Sequence, residues 1–179
     1  MPDLSGKVVA IIAGDYVEEP ELVGPRDRLR EAGAEVRVLS RDGSPIQAAE
    51  GDVTPTQKIE TDGAYADLDV DTIDALVVPG GTVNADHLRV DQRAQTLVRK
   101  VAAADKPLAV ICHGPWLLVS AGLVEGRRLT SWPSLQDDIR NAGGDWVDAE
   151  VVVDRKLVTS RKPDDVPAFV EAIERLLTS

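Results

Sequence analysis

A single cysteine, Cys112, excludes an internal disulfide, and the lack of any Cys-x-x-Cys pair excludes the usual structural zinc site. Neither a metal nor a cofactor is expected. Histidine is nearly as scarce, with His87 and His113 alone, so a reaction that needs an imidazole has two candidates. Aromatic residues make up 3% of the chain, which leaves the core to Val, Leu, Ile and Ala. Cations are also short: 20 Lys and Arg against 31 Asp and Glu give a net charge of −11. That balance argues against nucleic acid, whose phosphates must be neutralised by Lys and Arg, and against an anionic membrane surface. Long hydrophobic runs are missing too. The apolar run from Val8 to Ala13, flanked by Asp3, Lys7 and Asp15, is too short for a signal peptide or a membrane span. It reads as a buried strand, and a cytoplasmic location is the default expectation.

What is present is an alternation of apolar strands with helical periods. Val8–Ala13, Val36–Leu39, Ile73–Val78 and Leu108–Cys112 read as buried strands. A helix is expected from about Pro20 to Ala32, ended by Gly33. Ala94, Leu97, Val98, Val101 and Ala102 share one helical face, and Val166, Phe169, Val170, Ile173 and Leu177 form the stripe of a last helix. Asp164 or Asp165 is placed to cap it. The alternation predicts an α/β fold: a three-layer sandwich whose mostly parallel central sheet carries helices on both faces. Ile46–Ala49 and Gln57–Thr61 suggest a small accessory β pair, and Val151–Val153 with Leu157–Thr159 a hairpin or sheet extension. No repeat, low-complexity tract or linker divides the 179 residues, so one domain over 1–179 is expected.

The segment Leu108-Ala109-Val110-Ile111-Cys112-His113-Gly114-Pro115-Trp116 carries the chemistry. A buried strand delivers Cys112 to the carboxyl edge of the sheet, where ligands of open α/β sheets collect. Gly114 allows a tight turn and Pro115 suits the first position of the next helix, which is expected to stop near Gly122. Free N–H groups at that helix start favour thiolate over thiol, so a lowered Cys112 pKa is expected. The plainer alternative, a small buried hydrophobe, is what most free cysteines are. The adjacent histidine, the Gly-Pro helix start and a second loop weigh against it.

That second loop is Val77-Val78-Pro79-Gly80-Gly81, which reaches the same edge and can present an N–H to a developing oxyanion. Of the histidines, His113 neighbours the nucleophile and is preferred as its partner, while His87 reads as a solvated loop residue. Asp86 is the nearest carboxylate by topology to orient it. The first strand runs into Asp15-Tyr16-Val17-Glu18-Glu19-Pro20-Glu21, whose carboxylates are either ordinary helix-start charges or include one that reaches the cysteine. A glutamate buried there would hold its proton and serve as a general acid or base. Glu18 and Trp116 are candidate substrate contacts.

Together these pieces resemble the PfpI family of intracellular proteases and general stress proteins, in the superfamily of the parkinsonism-associated deglycase. The resemblance rests on Glu18-Glu19-Pro20-Glu21 through Pro25, Asp74 to Gly81, Ala109 to Pro115, Leu129-Thr130-Ser131-Trp132, Asp137 to Gly144 and Val158-Thr159-Ser160-Arg161. It implies a flavodoxin-like fold of the class I glutamine-amidotransferase-like kind. It also implies Cys112 as nucleophile, His113 as its base, Glu21 as the carboxyl touching the thiol, and the Gly81 and His113 N–H groups as an oxyanion hole. The third triad position holds a Glu in the archaeal protease of the family and falls on Asp86 here; in those relatives the carboxylate comes from a neighbouring subunit. A homodimer or higher homo-oligomer is therefore expected. Glutamine amidotransferase activity is excluded, because that reaction takes its histidine from late in the chain and none follows His113.

Three functions remain in view: a stress-response cysteine hydrolase acting on reactive carbonyls or glycation adducts, an oligomeric intracellular cysteine peptidase, and a redox-sensing or chaperone-like protein without turnover. The partner is accordingly a small molecule or a peptide.

Overall fold

The computed structural model describes residues 2–179. In chain order the strands are β1 (Val8–Ile12), β2 (Val17–Glu18), β3 (Glu35–Ser40), β4 (Ile46–Glu50), β5 (Thr54–Ile59) and β6 (Gly63–Ala64). They continue with β7 (Ala75–Val78), β8 (Leu108–Ile111), β9 (Arg128–Leu129), β10 (Asp145–Trp146), β11 (Val151–Asp154) and β12 (Leu157–Ser160). The helices are α1 (Glu19–Glu31), α2 (Thr82–Val90), α3 (Gln92–Ala103), α4 (Pro115–Ser120), α5 (Gln136–Asn141) and α6 (Val166–Thr178).

Seven strands form the central sheet in the order β11-β12-β8-β7-β1-β3-β6. All its pairings are parallel except the hairpin of β11 with β12. The strand side chains alternate between two cores, as a pleat requires. Val9 and Ile11, Ala75 and Val77, and Ala109 and Ile111 face a core shared with Leu22, Leu29, Phe169, Val170, Ile173 and Leu177 of α1 and α6. Ala10 and Ile12, Leu76 and Val78, and Leu108 and Val110 face the other, with Leu88, Leu97, Val98, Val101, Leu117 and Leu118 of α2, α3 and α4. Burial on both faces explains why these strands read as unbroken apolar runs. The chain winds from β1 through α1 to β3 on one side, then returns through β7 and α2–α3 to β8 on the other. The crevice at β1 and β7, where the winding reverses, is therefore where the loops after β1, β7 and β8 converge.

Four sequence expectations change. The accessory pair gains a strand, since β2 runs parallel to β4, which pairs antiparallel with β5. The second strand of that pair begins earlier, at Thr54 rather than Gln57. Asp86 and His87 lie on α2, not in a loop. Asp165 occupies the cap position of α6, but its carboxylate is taken by the backbone N–H and guanidinium of Arg161 and accepts nothing from the helix. Among the described residues, no helix is long and apolar enough to cross a membrane.

Candidate active site

Cys112 follows the last residue of β8 in a left-handed conformation, φ +61°, which a non-glycine residue adopts only when its surroundings impose it. They do so at both backbone groups. The Cys112 N–H donates to the Ser160 carbonyl at 3.0 Å, its carbonyl accepts from the Trp132 N–H at 2.9 Å, and the Gly114 N–H closes the turn on the Ile111 carbonyl at 2.9 Å. Gly114 cannot be replaced without conflict, because a Cβ there would lie 2.7 Å from Val110 Cγ1 and 2.9 Å from the Ile111 oxygen. The result is a strand–turn–helix elbow with the sulfur at its crest.

The loop after β7 closes on the elbow from the side. A Cβ on Gly80 would stand 2.6 Å from both Cys112 Cβ and Glu21 Oε2, so only glycine admits this approach. The Gly80 N–H donates to Glu21 Oε2 at 2.8 Å. Gly81, at φ +89°, turns its own N–H toward the sulfur, as does His113. Asn84, fully buried, stitches the loops: its amide donates to the Pro79 and Gly80 carbonyls and accepts from the Gly14 N–H at 2.7 Å.

Glu21 comes from the buried side of α1, 0% exposed, and its Oε1 has no partner. Burial pushes its carboxyl up to about 8 against the pull of the Gly80 N–H. Burial also pushes the Cys112 thiol up, and a charged Glu21 pushes it further, while the Gly81 and His113 N–H groups pull it down. The lowered thiol expected from the sequence is therefore not supplied by the helix start: α4 is six residues long, and any thiolate must be held by two N–H groups and a protonated Glu21. Two anions this close do not coexist, so ionising one member of the pair keeps the proton on the other.

His113 sits 5% exposed with Nδ1 3.3 Å from Cys112 Sγ and Nε2 3.3 Å from Thr82 Oγ1. Its ring stacks on Trp132, centroids 5.7 Å apart, and meets Trp116 at a tilt of 60° with centroids 5.4 Å apart. Burial lowers its pKa and the charge of Asp52 opposes that shift, which leaves a neutral ring able to accept a proton from sulfur. A cavity of about 160 Å³ opens above, lined by Glu18, Gly51, Asp52, Cys112, His113, Trp132 and Pro163.

The sequence matches the DJ-1/PfpI family over residues 7–175. This chain belongs to that family. It is 42% identical over 169 residues to a deglycase of Pyrococcus abyssi, covering 94% of this chain and 98% of the relative. It is 39% identical over 166 residues to general stress protein 18 of Bacillus subtilis, covering 92% and 94%. Its fold superposes on the crystal structure of Drosophila melanogaster DJ-1beta with a TM-score of 0.87 at 30% identity, covering 97% and 91% of the two chains.

Within this DJ-1/PfpI chain the structure brings together Cys112, His113, Glu21 and Gly81. Asp86 is not among them: it is exposed on α2, and among the described residues no hydrogen bond links it to His113. Glu18 lines the cavity, but its two carboxylate oxygens accept from the N–H groups of Gly51 and Asp52 at 3.0 and 3.1 Å. Trp116 packs on His113 and donates its indole N–H to Asp138 at 2.8 Å; the tryptophan that lines the cavity is Trp132. Asp52, Thr82, Asn84 and Pro163 are site residues that sequence reasoning missed. The Gly51-Asp52 pair is a turn signal in the sequence that could have pointed to Asp52. No group of three or more His, Cys, Asp or Glu side chains among the described residues could hold a metal ion.

Proposed function

We propose that this chain is a stress-related, cysteine-dependent hydrolase of reactive carbonyls and early glycation adducts, with Cys112 as nucleophile. The observation that carries the reading is the elbow itself: a sulfur at φ +61° met by two N–H groups, a buried carboxyl and an imidazole. With a 2-oxoaldehyde, the thiol proton passes to His113 Nδ1 and sulfur bonds to the aldehyde carbon, giving a hemithioacetal. Its oxyanion is met by the N–H groups of Gly81 and His113. Glu21 gives its proton to that oxyanion and, now a carboxylate, takes the hydrogen of the same carbon as a proton. The electron pair left behind forms an enediolate with the neighbouring carbonyl, and Glu21 returns the proton to the adjacent carbon, so one carbon rises to the thioester level as its neighbour falls to a carbinol. Water then cleaves the C–S bond, and the net reaction adds one water to give a 2-hydroxy acid with no external oxidant.

The nearly closed site favours this reading over the peptidase. Cys112 is 5% exposed beneath a cavity of about 160 Å³, which suits a small carbonyl and gives an extended peptide no groove. We place the protein in the cytoplasm as a homo-oligomer in which the exposed Asp86 of one subunit approaches the site of a neighbour, as the family resemblance suggests.

The test is a purified-protein assay of wild type and Cys112→Ser against methylglyoxal, glycated peptides and casein. Wild type is expected to form D-lactate from methylglyoxal and Cys112→Ser none. Equal product from both proteins, or hydrolysis of casein without D-lactate, overturns the assignment.

A further inference from the structure

We propose that Asp52 is the positioning carboxylate of His113 within its own chain, acting through Thr82 from the turn between β4 and β5. The proposal rests on Cys112 and His113 being the reactive pair. Asp52 Oδ1 accepts the backbone N–H of Thr82, the first residue of α2, at 2.7 Å. Gly81, which precedes it, offers no side chain for that cap, so a carboxylate 30 residues earlier in the chain does the work of an N-cap residue. Thr82 thus fixed presents Oγ1 to His113 Nε2 at 3.3 Å, while the other ring nitrogen faces Cys112 Sγ at 3.3 Å. The imidazole is held at both nitrogens, with Trp132 stacked against it.

The turn is itself latched. Gly51 and Asp52 both have positive φ, +61° and +69°, and their N–H groups point together at the Glu18 carboxylate. Two successive N–H groups of this kind make a small anion-binding concavity. Glu18 fills it, anchoring Asp52 over the cavity that both line with His113.

The chemistry gives Asp52 a purpose. When His113 takes the thiol proton it becomes a buried cation, and a fixed carboxylate nearby stabilises that form. The other charged or titratable groups around His113 are Cys112 with Glu21 behind it, Glu18 across the cavity, and, beyond Trp116, Arg89 and Asp138. Asp138 holds Trp116 against the ring, but of the carboxylates only Asp52 holds a residue whose side chain meets a ring nitrogen.

The experiment reads the two imidazoles directly by two-bond 1H–15N NMR across a pH titration, with exposed His87 as the internal standard. The proteins are wild type, Asp52→Asn and Thr82→Val. Asp52→Asn keeps an acceptor for the Thr82 N–H and tolerates the left-handed turn, so it removes charge without removing the cap. It is expected to lower the His113 midpoint by roughly half a unit to one unit and leave His87 unmoved. Thr82→Val is expected to change the His113 tautomer balance. Toward methylglyoxal, Asp52→Asn is expected to lose roughly tenfold in kcat with little change in KM. A His113 midpoint and tautomer balance equal to wild type in both variants overturns the proposal. The NMR result is independent of turnover: equal product from wild type and Cys112→Ser defeats the hydrolase reading and leaves the titration to decide the role of Asp52.

Discussion

The two loops that meet at His113 are built differently. The elbow at Cys112 is backbone through and through: three main-chain hydrogen bonds and the space-limited glycines Gly80 and Gly114 fix it. The turn at Gly51–Asp52 hangs on side chains, with Glu18 holding its N–H groups and Asp52 reaching across to α2. Backbone-built geometry is over-determined and fails as a whole, whereas geometry built from side chains can be loosened in steps. The elbow therefore sets whether the chemistry happens, and the turn sets how well.

The largest effects should come from the elbow. Cys112→Ser is expected to abolish turnover while its thermal midpoint stays within a few degrees of wild type, since a near-isosteric change costs little; collapse of the fold would return Cys112 to a packing role. Gly80→Ala is expected to lose both properties. Its methyl must displace both Cys112 Cβ and the Glu21 carboxylate, costing about 1–3 kcal/mol of stability and roughly a hundredfold in kcat. A Gly80→Ala protein with wild-type kcat would show that the elbow is looser than its contacts indicate.

Damage to the turn should be milder. Glu18→Gln keeps one acceptor oxygen of the two that hold Gly51 and Asp52, so kcat/KM is expected to fall about three- to tenfold with the thermal midpoint little changed. A loss as deep as that of Cys112→Ser would erase the distinction between the loops. Asp86→Asn separates the two sources of support for His113. If a neighbour's Asp86 acts on the ring, kcat should fall in the oligomer, and sedimentation should show that assembly at assay concentrations. Unchanged kcat would leave Asp52 as the working carboxylate.

The same contrast governs what could be read from the sequence. β1, β7 and β8 were legible because burial on both faces makes them apolar runs that end at glycine or cysteine. The elbow was legible because Cys112, His113, Gly114 and Pro115 are consecutive. α2 was not: it opens after Gly81, which reads as a turn, and buries only Asn84, Ala85 and Leu88, too few for a visible stripe. What caps it is Asp52, far away in the chain, and no local pattern records such a contact. Trp132 and Pro163 reach the cavity for the same reason, from loops that only the assembled sheet brings to one edge.

The smallest expected effect, and the sharpest on mechanism, concerns which of Glu21 and Cys112 keeps its proton. Between about pH 4.5, the ordinary value for a glutamate, and about 8, the folded chain keeps a proton on Glu21 that the unfolded chain has released. The folded state then binds more protons, so wild type must lose stability as pH rises through that window. Glu21→Gln has no such group and should show a flatter dependence of its thermal midpoint on pH. With the proton on Glu21, the negative charge that raises the Cys112 thiol is absent and the carboxyl becomes a donor to sulfur. Iodoacetamide alkylation of Cys112, read by mass spectrometry across pH, reports which partner holds the proton. Glu21→Leu, which removes the donor, should raise the alkylation midpoint by roughly one unit, and Glu21→Gln, still a donor, by less. A midpoint that falls in both variants would mean that Glu21 is the anion and Cys112 the acid. The sulfur would then need His113 to deprotonate it at every turnover, and support for His113 from the Asp52 turn would matter as much as the elbow.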